Sequence, residues 1–218
     1  MITMPPFNLT SKLNGGCILV GRVWQVGCPR MLARNEMGKS WGADQALIVN
    51  SEDDLRKLFG KTHDLAQKKV QTELDPYAKE FIARSPFLCL GTQSSNGKAD
   101  VSPRGDAPGF VKILDSRTIA LPDRPGNNRL DSLSNIISNA AVGLIFVVPG
   151  FEDTLRVNGR AKLVTDKDLL SQMSVNGKVP KIAVVVEIET VFLHCAKAFR
   201  RSKLWDVEQH QNRQSMPS

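Results

Sequence analysis

Polar and basic side chains are concentrated where two predicted strands end, and together they have the chemistry of a phosphate site. Ser102 and Arg104 end one strand, and a loop with Asn127, Asn128 and Arg129 leads from another strand into a helix. Free backbone N–H groups and the helix dipole favour an anion at that helix start. Two or three charge-assisted hydrogen bonds, each worth roughly 1.5–3 kcal/mol, could anchor a phosphate. The alternative is a set of solvated turns and surface ion pairs.

Classical catalytic motifs are missing from the sequence, which contains no GxSxG, HExxH or GxGxxG pattern. The fragment Gly38-Lys39-Ser40 resembles the end of a phosphate-binding P-loop, but Ala33 stands where that motif needs glycine. His194 and Cys195 are neighbours on a predicted strand, so their side chains point to opposite faces and cannot form a nucleophile–base dyad. The cysteines and histidines lack metal-ligand spacing, so we predict no metal site.

The composition is ordinary for a globular protein. The chain has 218 residues, of which 41% are hydrophobic and 23% charged, which indicates one domain or one domain with an extension. The longest apolar runs are far shorter than the ~20 residues that cross a bilayer. The net charge of +7 permits an anionic partner, but most aromatic residues lie inside apolar runs, so nucleic acid is not predicted. Without a signal-peptide pattern, a cytoplasmic location is expected.

The periodic signals divide the chain into three parts. Residues 1–47 carry an excess of positive charge and no sustained period, which predicts a poorly ordered extension. Met37, which lies close before the first periodic signals, is the alternative start of the folded chain. Residues 48–206 are predicted to form the domain, and residues 207–218 a polar tail.

The coarse pattern predicts a few helices followed by a mainly antiparallel sheet. Helices are expected over residues 52–59, 65–74, 76–84 and 130–139. Strands are expected over residues 87–92, 98–102, 110–114, 118–121, 141–148, 154–164, 182–188 and 191–195. Asn96-Gly97 is a strong hairpin turn because both positions tolerate positive φ. Consecutive hairpins with few crossover helices indicate an antiparallel sheet that closes into a barrel.

Five segments occur in an order that resembles a known family. They are SPFLCLGT (85–92), SPRGDAPGFV (102–111), PDRPGNNRLDSL (122–133), LRVNGRAKL (155–163) and HCAKAFRRSKLW (194–205). Together they resemble the pyridoxamine 5′-phosphate oxidase-like FMN-binding split-barrel family, in particular its bacterial flavoprotein subgroup. The resemblance spans residues 50–206 and does not include residues 1–47.

The resemblance implies a mainly β fold, a six-stranded antiparallel split β-barrel with flanking helices, which forms a homodimer. FMN would lie in a cleft built from both subunits. By motif position, the residues expected around FMN are Ser102, Arg104, Asn127, Asn128, Arg129, Arg156, Asn158 and His194. The first five match the phosphate-binding positions, and the others match the positions beside the flavin ring. Lys197 and Arg200 are expected to bind an anionic group of the substrate.

The predicted function is that of an FMN-dependent oxidoreductase that moves a hydride between a small organic substrate and the flavin. No protein nucleophile is needed, because the flavin accepts the hydride. Family oxidases share an Arg-x-His element near the C-terminus, whereas the corresponding stretch here, residues 200–203, contains no histidine. The substrate therefore stays open. The alternatives are an F420-dependent reductase and a non-catalytic flavin- or haem-binding protein, since the family includes such members.

Overall fold

A computed structural model of the chain describes residues 48–61 and 69–217. The chain divides into two units, residues 1–60 and residues 61–218. The predicted extension over residues 1–47, with its Gly38-Lys39-Ser40 fragment, lies outside the described residues. In the first unit, helix α1 (Glu52–Phe59) begins after Ser51, whose hydroxyl accepts a hydrogen bond from the N–H of Asp54. Within the described ranges, no helix is long and apolar enough to span a membrane.

The second unit is an antiparallel sheet of seven strands with short helices. The strands are β1 (Phe87–Gln93), β2 (Ala99–Gly105), β3 (Lys112–Ile113), β4 (Thr118–Pro122), β5 (Ala141–Val147), β6 (Thr154–Val164) and β7 (Ala183–His194). The helices are α2 (Pro76–Arg84), α3 (Asp131–Ser138), α4 (Lys167–Ser171) and α5 (Lys197–Ser202). The predicted polar tail contains two exposed 3-10 turns, Val207–Gln209 and Arg213–Ser215.

The sheet curls until its two ends approach each other. The strand order is β2-β1-β5-β6-β7-β4-β3, and the edge strands β2 and β3 are not paired with each other. Two ion pairs instead connect the end of β2 with the end of β4: Arg104 with Asp123, and Asp106 with Arg124. The predicted antiparallel split-barrel class is confirmed. The sheet has seven strands rather than six because the two-residue strand β3 adds an edge.

The last two predicted strands form one continuous strand, β7. Asn158 pairs with Thr190 and Gly159 pairs with Ile188, so Glu189 is an extra residue that a bulge accommodates. Gly159 is required there, because a Cβ atom at this position would lie 2.0 Å from a β7 carbonyl oxygen. The alternation of apolar and polar residues predicts each strand separately. The position of the bulge could not be predicted in this way, because it depends on the register between β6 and β7.

The helix predicted over residues 65–74 is wrong in its described part. Residues 69–74 are not helical, and Gln71 forms an isolated bridge with Val191. The N–H of each residue donates to the carbonyl of the other, with N···O distances of 3.0 and 2.7 Å. This segment therefore extends the sheet locally and places Leu74 in the core.

The core fills the inner face of the curled sheet. Alternate residues of the central strands are buried there, namely Leu88, Leu90, Leu144, Phe146, Leu155 and Val157. Phe81 and Ile82 of α2 and Leu133 and Ile136 of α3 belong to the same cluster. Because side chains alternate along a strand, the intervening residues lie on the outer face of the sheet. The two faces determine which predicted site residues can act together.

Candidate functional site

The residues expected to bind a phosphate lie on the inner face of the sheet or in the loop beside it. Across the β1–β2 ladder, Ser102 is directly opposite Leu90 and Arg104 is opposite Leu88. Directly opposite residues share a face, and both leucines are core residues, so Ser102 and Arg104 face inward. The inner-face group is defined as Ser102 and Arg104 with the adjoining loop Asn127, Asn128 and Arg129.

Arg104 lies where the end of β2 approaches the end of β4. Its Nη1 lies 2.5 Å from Oδ1 of Asp123, and about one-fifth of each side chain is exposed. The Nε atom of Arg104 is buried and has no hydrogen-bond partner among the described residues. Arg104 therefore has a neutralising carboxylate and one unused donor, and a ligand oxygen could accept from that donor.

Helix α3, which directly follows the loop Asn127-Asn128-Arg129, is held beside β2 and β1. The hydroxyl of Ser132 donates to Asp100 of β2 over 3.0 Å, and the amide of Asn135 donates to Thr92 of β1 over 3.0 Å. Leu130 occupies the N-cap position with a left-handed φ of 61° and supplies no side-chain cap. The first N–H groups of α3 consequently lack the side-chain acceptor that usually satisfies them.

Arg129 forms the surface pair that the sequence offers as the alternative to a phosphate. Its Nε lies 2.7 Å from Oδ2 of Asp131, and 71% of the Arg129 side chain is exposed. The hydrogen bond from Arg129 to Asp131 raises the pKa of the guanidinium. An exposed pair of this kind is worth only ~0–1 kcal/mol, so it leaves Arg129 available to a stronger anionic ligand.

The residues expected beside the flavin ring lie on the outer face of the same sheet. Arg156 and Asn158 alternate along β6 with the core residues Leu155 and Val157. His194 is directly opposite Thr154, which lies on the same side of β6 as Arg156. The outer-face group is defined as Arg156, Asn158 and His194.

A cation and two rings meet in the outer-face group. The guanidinium carbon of Arg156 lies 5.3 Å from the centroid of the Phe192 ring, and the Phe192 and His194 rings are 5.0 Å apart, edge to face. The Nε of Arg156 is buried and lacks a hydrogen-bond partner among the described residues. Arg156 is thus a second half-buried cation with an unused donor, on the opposite face of the sheet from Arg104. Sequence reasoning missed Phe192, although its place two residues before His194 puts both rings on one face.

His194 should titrate below the usual histidine value of about 6.5. Partial burial lowers its pKa first, and the positive charge of Arg156 lowers it further. Between its own pKa and about 6.5, the unfolded chain binds more protons than the folded protein. The free energy of unfolding should therefore fall as the pH drops through this window.

The measurement for His194 is an NMR titration of its imidazole, together with urea unfolding from about pH 7 to about pH 5. His194→Asn should flatten the pH dependence of the unfolding free energy in this range. A midpoint at or above the usual histidine value would contradict the assigned environment.

Apolar side chains lie to one side of the outer-face group, on the strands β5, β1 and β2. Phe87, Val101 and Ile145 are 38%, 69% and 41% exposed. Cys89 is directly opposite Pro103 on one side and Ile145 on the other, and Ile145 is opposite Arg156. These residues form one continuous surface, here called the apolar patch: Phe87, Cys89, Val101, Pro103 and Ile145. A patch of this kind on a sheet face is typical of an interaction surface.

The predicted substrate residues Lys197 and Arg200 are not brought to the outer-face group by any contact within the described part of the chain. Arg200 instead donates to Glu152 over 2.5 Å on the surface. The segment after β7 is held by Trp205, whose indole N–H donates to the carbonyl of Phe151 over 2.7 Å. Lys197 and Arg200 therefore lie on a fixed segment beside the strand end, and their substrate role remains a prediction.

The described residues do not suggest a protein-ligated metal. No group of three or more His, Cys, Asp or Glu side chains among them is placed to hold a metal ion. Cys89 and Cys195 are free thiols. The site thus offers guanidinium, amide, hydroxyl and imidazole groups, which suit a phosphate and a polar aromatic ring.

Comparison with known families gives one clear match. Residues 74–195 match the sequence profile of the family described as pyridoxamine 5′-phosphate oxidase. The matched range contains both the inner-face and the outer-face group. No curated protein sequence matches the chain significantly.

Solved structures give distant similarities. HupZ of Group A Streptococcus shares 17% identity, covers 55% of this chain and 93% of its own, and has a TM-score of 0.45. A putative pyridoxamine 5′-phosphate oxidase of Lactobacillus delbrueckii shares 21% identity over 56% of this chain and 95% of its own, with a TM-score of 0.43. An FMN-binding protein of Syntrophomonas wolfei shares 13% identity over 66% and 97%, with a TM-score of 0.41.

Proposed function

The chain belongs to the pyridoxamine 5′-phosphate oxidase family, and from this membership we propose that it is a homodimeric FMN-dependent oxidoreductase. It would transfer a hydride between a small organic substrate and the flavin. Bound FMN supplies the hydride-accepting centre, so the protein has to bind, orient and shield the reactants.

The observation that carries this proposal is a pair of half-buried arginines with unused donors. Buried polar atoms normally have hydrogen-bond partners, yet the Nε atoms of Arg104 and Arg156 have none. One arginine belongs to the inner-face group, where Ser102 and the uncapped start of α3 complete the donors for a phosphate. The other lies beside Asn158 and His194, which suit the polar edge of a flavin ring. The residues present therefore fit FMN.

The two groups can serve one FMN only if two copies of the chain contribute. Arg104 lies on the inner face of β2 and Arg156 on the outer face of β6, with β1 and β5 between them. Three strand spacings separate β2 from β6, roughly 14 Å. The phosphate would thus be held by the inner-face group of one copy, and the ring by the outer-face group of the second.

The apolar patch supports a second copy as the partner. It borders Arg156 directly, since Ile145 and Arg156 are opposite each other in the β5–β6 ladder. Burying this patch would remove exposed apolar surface from water and exclude water from the flavin ring. A twofold symmetric arrangement would create two such sites in each dimer.

His194 and Arg156 would then act together at the ring. The lowered pKa keeps His194 neutral at neutral pH, so the imidazole can donate or accept one hydrogen bond. Arg156 supplies a fixed positive charge that stabilises negative charge developing on a bound ring or substrate. Lys197 and Arg200 are proposed to attract an anionic substrate group from the segment that follows β7. The cytoplasmic location remains a prediction.

The test begins with the visible spectrum of the purified full-length protein. Bound flavin absorbs in the blue and near-ultraviolet, whereas haem gives a Soret band. We expect a flavin spectrum, release of FMN on denaturation, and a dimer in solution by light scattering. Bleaching of the flavin on anaerobic addition of NAD(P)H or a candidate amine would support turnover. A haem spectrum, or a protein that binds no added FMN, would overturn the proposal.

A further inference from the structure

Four polar side chains attach helix α3 to the strands β1 and β2. Thr92 and Asp100 are directly opposite each other in the β1–β2 ladder, and Ser132 and Asn135 are three positions apart on one side of α3. The hydroxyl of Ser132 donates to Oδ2 of Asp100 over 3.0 Å, and the amide of Asn135 donates to Oγ1 of Thr92 over the same distance. Thr92 and Ser132 are buried. These four residues are here called the α3 anchor.

The α3 anchor connects the two parts of the inner-face group. Because side chains alternate along β2, Asp100 lies on the inner face in one row with Ser102 and Arg104. The loop part of the group directly precedes α3. Within the described part of the chain, the bond from Ser132 to Asp100 is the one hydrogen bond or ion pair that joins β2 to this loop or to α3. This bond therefore helps to set the spacing between the strand part and the loop part.

Asp100 also places a negative charge near the guanidinium of Arg129. The hydrogen bond and charge of Asp131 are the main causes of the raised pKa of Arg129, and the charge of Asp100 raises it further. Asp100 thus has two opposite effects on a phosphate bound between the two parts of the inner-face group. The hydrogen bond from Ser132 fixes the spacing that the phosphate needs, whereas the negative charge of the carboxylate repels the phosphate.

We propose that Asp100 is a positioning residue for the FMN phosphate, and that it acts through Ser132 by holding the start of α3 at a fixed distance from β2. This inference rests on the proposed function, because it takes the phosphate to lie in the inner-face group. Binding residues have to be held within about 0.5 Å of their productive geometry, and hydrogen bonds behind them supply this precision. The effect is specific to the phosphate, since the residues proposed for the flavin ring lie on the outer face of the sheet.

The experiment measures the affinity of the full chain for FMN and for riboflavin by quenching of flavin fluorescence. Ser132→Ala removes the hydrogen bond and keeps the carboxylate, so FMN affinity should fall about tenfold while riboflavin affinity is nearly unchanged. Asp100→Asn keeps an oxygen that accepts from Ser132 and removes the negative charge. FMN affinity should therefore rise severalfold in this variant, again with little effect on riboflavin.

The matched control is Asn135→Ala, which removes the other hydrogen bond of the α3 anchor, about one helical turn further from the loop. It should lower the melting temperature about as much as Ser132→Ala but leave the ratio of FMN affinity to riboflavin affinity nearly unchanged. An equal fall of this ratio in the two alanine variants would mean that any loosening of α3 has the same effect, and would overturn the role of Asp100. Parallel losses of both flavins in Ser132→Ala, or weaker FMN binding by Asp100→Asn, would overturn it as well.

Failure of the proposed function gives a different result in the same experiment. If the unsubstituted protein binds neither flavin, the proposed function fails, and inorganic phosphate becomes the probe. The variants are then compared by the rise in melting temperature that added phosphate causes, since a ligand that binds only the folded state stabilises it. A smaller rise in Ser132→Ala than in Asn135→Ala would support the positioning role of Asp100, and equal rises would overturn it.

Discussion

Replacing Arg129 with alanine should weaken FMN binding by about ten- to a hundred-fold and leave riboflavin binding nearly unchanged. Riboflavin has no phosphate, so only FMN can use the guanidinium at the start of α3. The helix that follows this position is fixed by Ser132 and Asn135, which hydrogen-bond to Asp100 and Thr92. The measurement is flavin fluorescence quenching with both ligands, alongside thermal unfolding of the ligand-free protein.

Asp131→Asn is the control for Arg129. It removes the surface partner but keeps the guanidinium, and the exposed Arg129–Asp131 pair is worth only ~0–1 kcal/mol. FMN affinity should stay the same or increase, because the competing carboxylate charge is lost near the phosphate. Equal losses of FMN and riboflavin in Arg129→Ala, with normal unfolding, would remove Arg129 from the phosphate site.

Mixing two variants that each bind FMN weakly should restore tight FMN binding in about a quarter of the sites. The pair is Arg129→Ala, which damages the inner-face group, and Arg156→Gln, which damages the outer-face group. In a mixed dimer, one composite site receives both substitutions and the other receives neither. Random exchange makes about half of the dimers mixed, so about one site in four is intact.

This complementation is measured by mixing the variants under conditions of subunit exchange and counting tightly bound FMN per chain. Mixing Arg129→Ala with the double variant Arg129→Ala/Arg156→Gln is the matched control and should restore nothing. Arg156→Gln keeps a polar side chain at a half-buried position, which limits the loss of packing against Phe192. If the first mixture gains no FMN although mixed dimers form, each site is built within one chain and the two-copy arrangement is wrong.

The elements that follow local rules could be predicted closely from the sequence. Asp75-Pro76 predicts the start of α2, and in the structure the Asp75 carboxylate accepts from the N–H of Ala78 over 2.7 Å. Asn96-Gly97 predicts the β1–β2 hairpin, and Gly97 has a φ of 83°. These two predictions agree with the structure because each signal depends only on a few neighbouring residues.

The predicted helix over residues 65–74 is an example in which a contact with a distant strand overrides the local sequence pattern. Its described residues are not helical, since the backbone of Gln71 bonds to Val191, far away along the chain. A pattern that allows a helix can be overridden when a distant strand offers backbone partners and the core accepts Leu74.

The family and the candidate residues could be predicted from motifs, but the counter-charge of each arginine could not. Arg104 pairs with Asp123 and Arg124 with Asp106, across a split between strands that are not neighbours in the sheet. No spacing along the chain encodes that approach. For Arg129 the sequence leaves open a phosphate and a surface pair with an acidic neighbour, Asp131 or Asp123, and the structure shows the pair with Asp131.

The sequence by itself predicted most of the strands and turns, the family and the polar residues at the strand ends, but not that the last two predicted strands form one strand, β7. Only the tertiary structure decided that Arg104 faces the core side and Arg156 the outer side of one sheet. The physical reason is that alternation fixes which residues of one strand share a face, whereas register and the curl of the whole sheet fix which strands bring their faces together. That division between the two faces is what makes the proposed flavin site depend on two copies of the chain.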